Sequence, residues 1–188
     1  MVAIAAGAPT EARIWQLLEE VSDPEVPVLS ILDLGIVRAV KIDSEQVTVT
    51  ITPTYSGCPA MNTIATDIRL RLLAEGITQL TIRNQLSPAW TTDWMSAAGR
   101  AKLTAYGIAP PVDGTATGHV LNLFGQATAV ACPLCGSAHT QLVNQFGSTA
   151  CKALYQCQDC REPFDYFKCH LARLPVTRAK FLGGLWRI

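Results

Sequence analysis

Four of the seven cysteines stand in two Cys-x-x-Cys pairs, Cys132/Cys135 and Cys157/Cys160, separated by twenty-one residues. A two-residue spacer lets both thiolates of a pair reach one ion from a tight turn. Two such turns supply the closed tetrahedral set of sulfurs that zinc takes in structural sites. The separation is one residue longer than the usual window, which matters little because that stretch is only a loop or hairpin. Thiolates also suit iron and iron–sulfur clusters, so iron in the same four sulfurs stays open. The competing accounts are two disulfides or four unrelated buried thiols. A Cys-x-x-Cys disulfide closes a short, strained loop and mostly marks redox motifs, so two of them in one segment is the weaker account.

Cys58 is the second chemical candidate. It precedes Pro59, a residue suited to the first position of a helix, so the thiol falls at or near a helix N-cap. Unpaired N–H groups and the helix dipole there favour the thiolate, which is both nucleophile and metal ligand. The alternative is an inert thiol packed at a helix start. Asp23, Glu25 and Asp33 are carboxylates able to line the same end of the fold, and each is equally a capping or surface residue. Cys151 and Cys169 lie outside the paired pattern, as small buried hydrophobes or as ligands of a second site. His170 follows Cys169, His139 lies between the pairs, and His119 reads as a solvated side chain. No Ser-His-Asp arrangement, phosphate loop or dinucleotide fingerprint is present.

The elements that must position these residues follow from periodicity. Thr10 can cap a helix whose apolar face is Ile14, Leu17, Leu18 and Val21, ending near Ser22 before Asp23-Pro24. Gly35 suits a special backbone angle. Residues 36 to 52 read as an antiparallel hairpin turning at Asp43-Ser44-Glu45, with Val47, Val49 and Ile51 alternating with threonines. A helix after Pro59 carries Met61, Ile64, Ile68 and Leu72 on one face and stops at Gly76. Leu80, Ile82 and Leu86 form a third strand. Thr92 or Asp93 caps a last helix running to about Ala105. The sum is a small α+β domain over 10–109, a linker over 110–130, a four-cysteine zinc ribbon over 131–170 and a tail over 171–188. Phe164, Tyr166 and Phe167 are expected to form the ribbon's miniature core, too small to hold without the ion.

Composition narrows the class. Hydrophobic residues make up 49% and charged residues 16%, which describes a folded chain. Fifteen basic residues balance fifteen acidic ones, so no net field draws the protein to nucleic acid or anionic lipid. The weak basic cluster Arg173, Arg178, Lys180 and Arg187 reads as a solvated tail. The apolar stretch Val2 to Ala8 is too short for a signal peptide, and no run reaches membrane-spanning length. An odd cysteine count with four in metal spacing fits a reducing interior, so a cytoplasmic location is expected.

Asp23-Pro24-Glu25, Asp33-Leu34-Gly35, Thr52-Pro53-Thr54 and Gly57-Cys58-Pro59 together resemble the signature of the MIP18 family, also called the domain of unknown function 59. Ser87-Pro88-Ala89-Trp90-Thr91-Thr92-Asp93-Trp94-Met95, Gly147-Ser148-Thr149-Ala150-Cys151-Lys152 and Phe167-Lys168-Cys169-His170 are narrower. They resemble the PaaD/PaaJ-type family of phenylacetyl-CoA epoxidase components, and the likeness spans about residues 11 to 170. The resemblance implies a fold like the iron–sulfur assembly domain of scaffold proteins. It puts the family's cysteine at Cys58 and implies a role in iron–sulfur cluster assembly and delivery. It also implies membership of a multicomponent system of aerobic phenylacetate degradation, whose oxygenase is di-iron and whose reductase holds flavin and an iron–sulfur cluster.

The chain has no pair of Glu-x-x-His motifs of the kind a di-iron bundle uses, so an accessory role is expected over catalysis. The expected partners are the oxygenase and reductase components. One cysteine does not complete a cluster's ligand set, so Cys58 would need a homodimer or a partner for the rest. Zinc in the ribbon would be structural, and a transient cluster or iron would be held at Cys58. The rival readings are a stoichiometric structural component of the oxygenase and a zinc-ribbon adaptor.

Overall fold

A computed structural model describes residues 9–55, 57–112 and 130–168. Helix α1 (Glu11–Glu19) begins where the Thr10 hydroxyl accepts the Arg13 N–H at 3.2 Å. Its apolar face, Ile14, Leu17 and Leu18, is fully buried. Strands β1 (Val37–Asp43) and β2 (Gln46–Ile51) form the expected antiparallel hairpin, turning through Ser44 at φ +56°. Helix α2 (Ala60–Ala74) then crosses the sheet and returns the chain to β3 (Leu80–Asn84), parallel to β2. Ile64, Ile68 and Leu72 of α2 are fully buried on that crossing. Burying each is worth about 1.5–3 kcal/mol before chain entropy is counted.

Four boundaries differ from the sequence reading. Helix α1 stops at Glu19, three residues before Ser22. The N-cap of α2 is Pro59, so Cys58 sits one residue before the cap. Leu86 lies beyond β3 and is exposed. The last helix, α3 (Ala97–Ala105), is capped by the Ser96 hydroxyl, which accepts the Gly99 N–H at 2.8 Å, and not by Thr92 or Asp93. Thr92 to Trp94 form a separate short 3-10 turn. Ser96 wins because its hydroxyl also donates to Asp33 at 2.9 Å, a tertiary bond between residues 63 positions apart that local spacing does not reveal.

The ribbon is a sheet ordered β4–β7–β6–β5, built from β4 (Ile108–Ala109), β5 (Thr140–Asn144), β6 (Lys152–Cys157) and β7 (Pro163–Phe167). Strand β4 leaves the end of α3 and pairs in parallel with β7, so the first domain contributes a strand to the ribbon. The aromatic residues divide. Phe164 and Tyr166 pack with Tyr155 inside the ribbon, as expected. Phe167 instead enters the main core and meets Trp90 edge-on, ring centroids 6.3 Å apart. Trp90 is held in turn by its indole N–H, which donates to the Leu34 carbonyl at 2.7 Å. Most of the 110–130 linker, His119, Cys169, His170 and the 171–188 tail with its basic residues lie outside the described residues.

Candidate functional site

The two cysteine turns face each other. At the first, the Gly136 N–H reaches the Cys132 carbonyl at 2.9 Å and Gly136 takes φ +77°, closing the turn that aligns Cys132 and Cys135. At the second, Cys157 ends β6 and its N–H donates to the Glu162 carbonyl at 3.0 Å. The four sulfurs all lie within 4.8 Å of one another. Cys132 is 3.8 Å from Cys160, and Cys135 is 3.5 Å from Cys157. Sulfurs about 2.3 Å from one tetrahedral zinc ion stand roughly 3.8 Å apart, so this donor set fits zinc in both chemistry and spacing. The backbone N–H groups of Cys160 and Asp159 point at the Cys157 sulfur and draw its thiol down to about 6, toward the thiolate a metal needs.

Periodicity gives no hint of the strap joining the turns. Asp159 accepts a short hydrogen bond from the Ser137 hydroxyl and faces His139 Nδ1 at 3.1 Å. His139 is otherwise solvent-exposed, so its side chain braces the knuckles from outside.

Cys58 is set apart from the four-sulfur site. It is half-buried against the main core, with its N–H donating to the Tyr55 carbonyl at 3.1 Å. Burial pushes its thiol up, and the carboxylates of Glu25 and Asp23 add to that. The Ala60 N–H and the Thr54 hydroxyl oppose them without winning. The expected lowering by the helix start is therefore overturned: with the thiol outside the helix and two carboxylates near it, desolvation and like charge outweigh the dipole.

The candidate carboxylates separate by role. Asp23 is buried, and its Oδ1 accepts the N–H groups of Glu25 and Val26 at 2.9 and 2.8 Å, an Asx turn that presents Glu25. Glu25 reaches across to the ribbon, where Cys151 Sγ donates to its Oε2 at 3.5 Å. Asp33 is engaged elsewhere. It accepts from the Ser30 N–H, the Ser96 hydroxyl and the Lys102 ammonium at 3.0, 2.9 and 2.6 Å. Burial alone would raise the Asp33 carboxyl; Lys102, Ser30 and Ser96 outweigh it and hold it below the usual carboxylate range. A carboxylate depressed in the fold contributes stability above its ordinary pKa and loses it as pH falls through the folded value. The denaturation midpoint is thus expected to drop below about pH 4, and Asp33→Asn should flatten that acid limb. An unchanged limb in Asp33→Asn would show that Asp33 does not carry it.

An α+β domain with a docked four-cysteine ribbon is the class that this fold and site define. The family model described as iron-sulfur cluster assembly protein matches residues 11–75, and that described as PaaD zinc beta ribbon domain matches residues 116–168. A protein of Escherichia coli (strain K12), provisionally named as a component of 1,2-phenylacetyl-CoA epoxidase, is 48% identical over 170 residues, 90% of this chain and 99% of that one. The chain belongs to that PaaD-type family of epoxidase components. An Fe-S protein maturation auxiliary factor of Porphyromonas gingivalis is 35% identical over 96 residues, 50% of this chain and 90% of its own. The crystal structure of a DUF59 domain from Bacillus anthracis aligns at 29% identity and a TM-score of 0.46, covering 50% of this chain and 90% of that one. No helix among the described residues is long and apolar enough to cross a membrane.

Proposed function

We propose that this chain is an accessory protein of a phenylacetyl-CoA epoxidase, loading or repairing iron centres in the partner proteins. Cys58 is the thiol that ligates iron or a cluster in transit. The observation that carries this is the setting of that sulfur. It is half-buried, addressed by the Ala60 N–H and the Thr54 hydroxyl, and set near two carboxylates, in a chain without oxygenase or reductase motifs. The relatives named for the epoxidase and for Fe-S protein maturation support the same reading. A thiol that stays protonated until a metal meets it suits temporary holding better than a permanent site, since binding must first displace the proton. The ribbon holds structural zinc through Cys132, Cys135, Cys157 and Cys160 and serves as a docking surface. The candidate clients are the reductase's cluster or the oxygenase's di-iron site.

Cys58→Ala is expected to lower the iron content of the oxygenase and reductase purified from cells severalfold, while the variant keeps its own zinc and fold. Metal analysis of those partners reads this directly, and normal iron would remove Cys58 from the mechanism.

A second reading, a stoichiometric structural component, is favoured by one feature. Leu142, Val143 and Phe146 are exposed on and just beyond β5, the ribbon's outer strand. Apolar side chains beside a sheet edge that no other strand covers among the described residues suit a lasting contact. Turnover by oxygenase and reductase already loaded with metal separates the two: an assembly factor is dispensable there, and a structural component is not.

A further inference from the structure

The ribbon does more than dock: it carries a second sulfur, Cys151, into the core against which the first domain's Cys58 packs. Cys151 stands one residue before β6, outside both cysteine pairs. Among the described residues it is a ribbon cysteine buried in the main core, the cluster against which Cys58 packs. Its sulfur is 3.5 Å from Glu25 Oε2 and 3.0 Å from the Thr149 hydroxyl. Glu25 also acts electrostatically on Cys58. The Tyr55 hydroxyl shares a hydrogen bond with Cys58 and feels the charges of both Glu25 and Cys151. Two thiols and a carboxylate, drawn from residues as far apart as 25 and 151, thus all act on one phenol. Packing alone would be served by an alanine or valine at 151; a polar S–H turned onto a carboxylate is not needed for it.

We propose that Cys58, Cys151 and Glu25 form an interdomain site for a thiophilic divalent transition metal, with ferrous iron as its cargo. This rests on the reading of Cys58 as a carrier and supplies it with ligands from the same chain. Two sulfurs and one oxygen leave at least one position of a four-coordinate ion for the recipient's ligand. Binding breaks two S–H bonds, forms two sulfur–metal bonds and releases two protons to water, and no electron moves. Among the described residues only the four ribbon cysteines have three or more ligand atoms all within 4.8 Å, so closing this second site takes side-chain rotation. Burial pushes the Cys151 thiol up to about 12, which keeps it a proton donor to Glu25 until a cation competes. Both features favour a site that empties readily.

Cobalt(II) added without oxygen to the zinc-loaded full chain tests this. Cobalt lies below zinc in the affinity order and leaves the ribbon's zinc in place. The wild type is expected to bind one cobalt per chain, with a sulfur-to-cobalt charge-transfer band of the strength two thiolates produce. Cys151→Ser and Cys58→Ala should each halve that band and weaken binding at least tenfold, and Glu25→Gln should weaken binding while keeping the band. Zinc content and the thermal midpoint check that each variant folds. If Cys151→Ser does not fold, the wild-type band decides alone, because a one-thiolate band overturns the proposal. A wild type without a cobalt site, or a Cys151→Ser protein that binds like wild type, also overturns it. Those results leave the carrier reading of Cys58 standing on the iron content of the oxygenase and reductase.

Discussion

Replacing Cys157 by serine is expected to strip the ion from the ribbon and unfold it, with damage that reaches the first domain. The ribbon's own core is Ala109, Val130, Cys132, Ala153, Cys157, Phe164 and Tyr166, so two of its seven buried members belong to the four-sulfur set. A core this small does not offset the entropy of ordering the segment, whereas a structural zinc ion contributes on the order of 10–16 kcal/mol in comparable peptides. Cys157 is fully buried, and its loss leaves three thiols crowded within 4.8 Å without a cation. The damage spreads because Phe167 and Cys151 sit in the main core. Withdrawing the Phe167 ring alone costs the first domain about 1.5–3 kcal/mol. Zinc content, near-ultraviolet circular dichroism and the thermal midpoint should therefore fall together. A strong chelator acting on the wild type should produce the same pattern. A variant with full zinc content and an unchanged midpoint would refute the four-sulfur assignment.

Gly35→Ala is the second large effect, and it acts far from any metal. Gly35 takes φ +66°, and a Cβ built there would stand 2.3 Å from the Trp94 carbonyl oxygen and 2.8 Å from its Cβ. The left-handed backbone costs a non-glycine residue roughly 1–2 kcal/mol, and backbone atoms cannot swing away as a flexible side chain would. Trp94 is pinned by its N–H to the Thr91 carbonyl at 3.1 Å and by the Arg38 guanidinium, 3.5 Å from its ring centroid. Relief would have to move Gly35 and with it Leu34, whose carbonyl holds Trp90. The expected loss exceeds about 3 kcal/mol, in the range reserved for named steric mechanisms. Gly76→Ala is the control. It shares the positive φ, at +83°, but has nothing within 4 Å, so only the backbone cost of roughly 1–2 kcal/mol applies. Denaturant midpoints of the two variants decide. Equal losses would mean that the Trp94 contact contributes nothing.

Much of the scaffold is legible in the sequence because its signals are local. Helix α1 shows its cap at Thr10 and its face at Ile14, Leu17 and Leu18 within a few residues, and the same holds for Ile64, Ile68 and Leu72 of α2. The β1–β2 hairpin carries period-two alternation and a short polar turn, so its pairing needs no knowledge of the rest of the chain. Ser96 escapes sequence reasoning as a cap because Thr92 and Asp93 offer the same local chemistry, and only the Asp33 carboxylate breaks the tie. A helix start predicts a Cys58 thiol near the thiolate, but burial and Glu25 reverse the sign.

What the amino-acid order determined by itself is the set of parts: the first two helices, a hairpin and a four-sulfur ribbon, each specified by spacings no longer than a turn or a loop. The tertiary structure decided how the parts serve one another. It turned Phe167 from the ribbon into the first domain's core, gave β4 to the ribbon sheet and set Cys151 against Glu25. The physical reason is range. Helix and strand periodicity records how one segment meets a core of unspecified identity, whereas a contact between residues 126 positions apart exists only once two separately folded surfaces find complementary shape and charge.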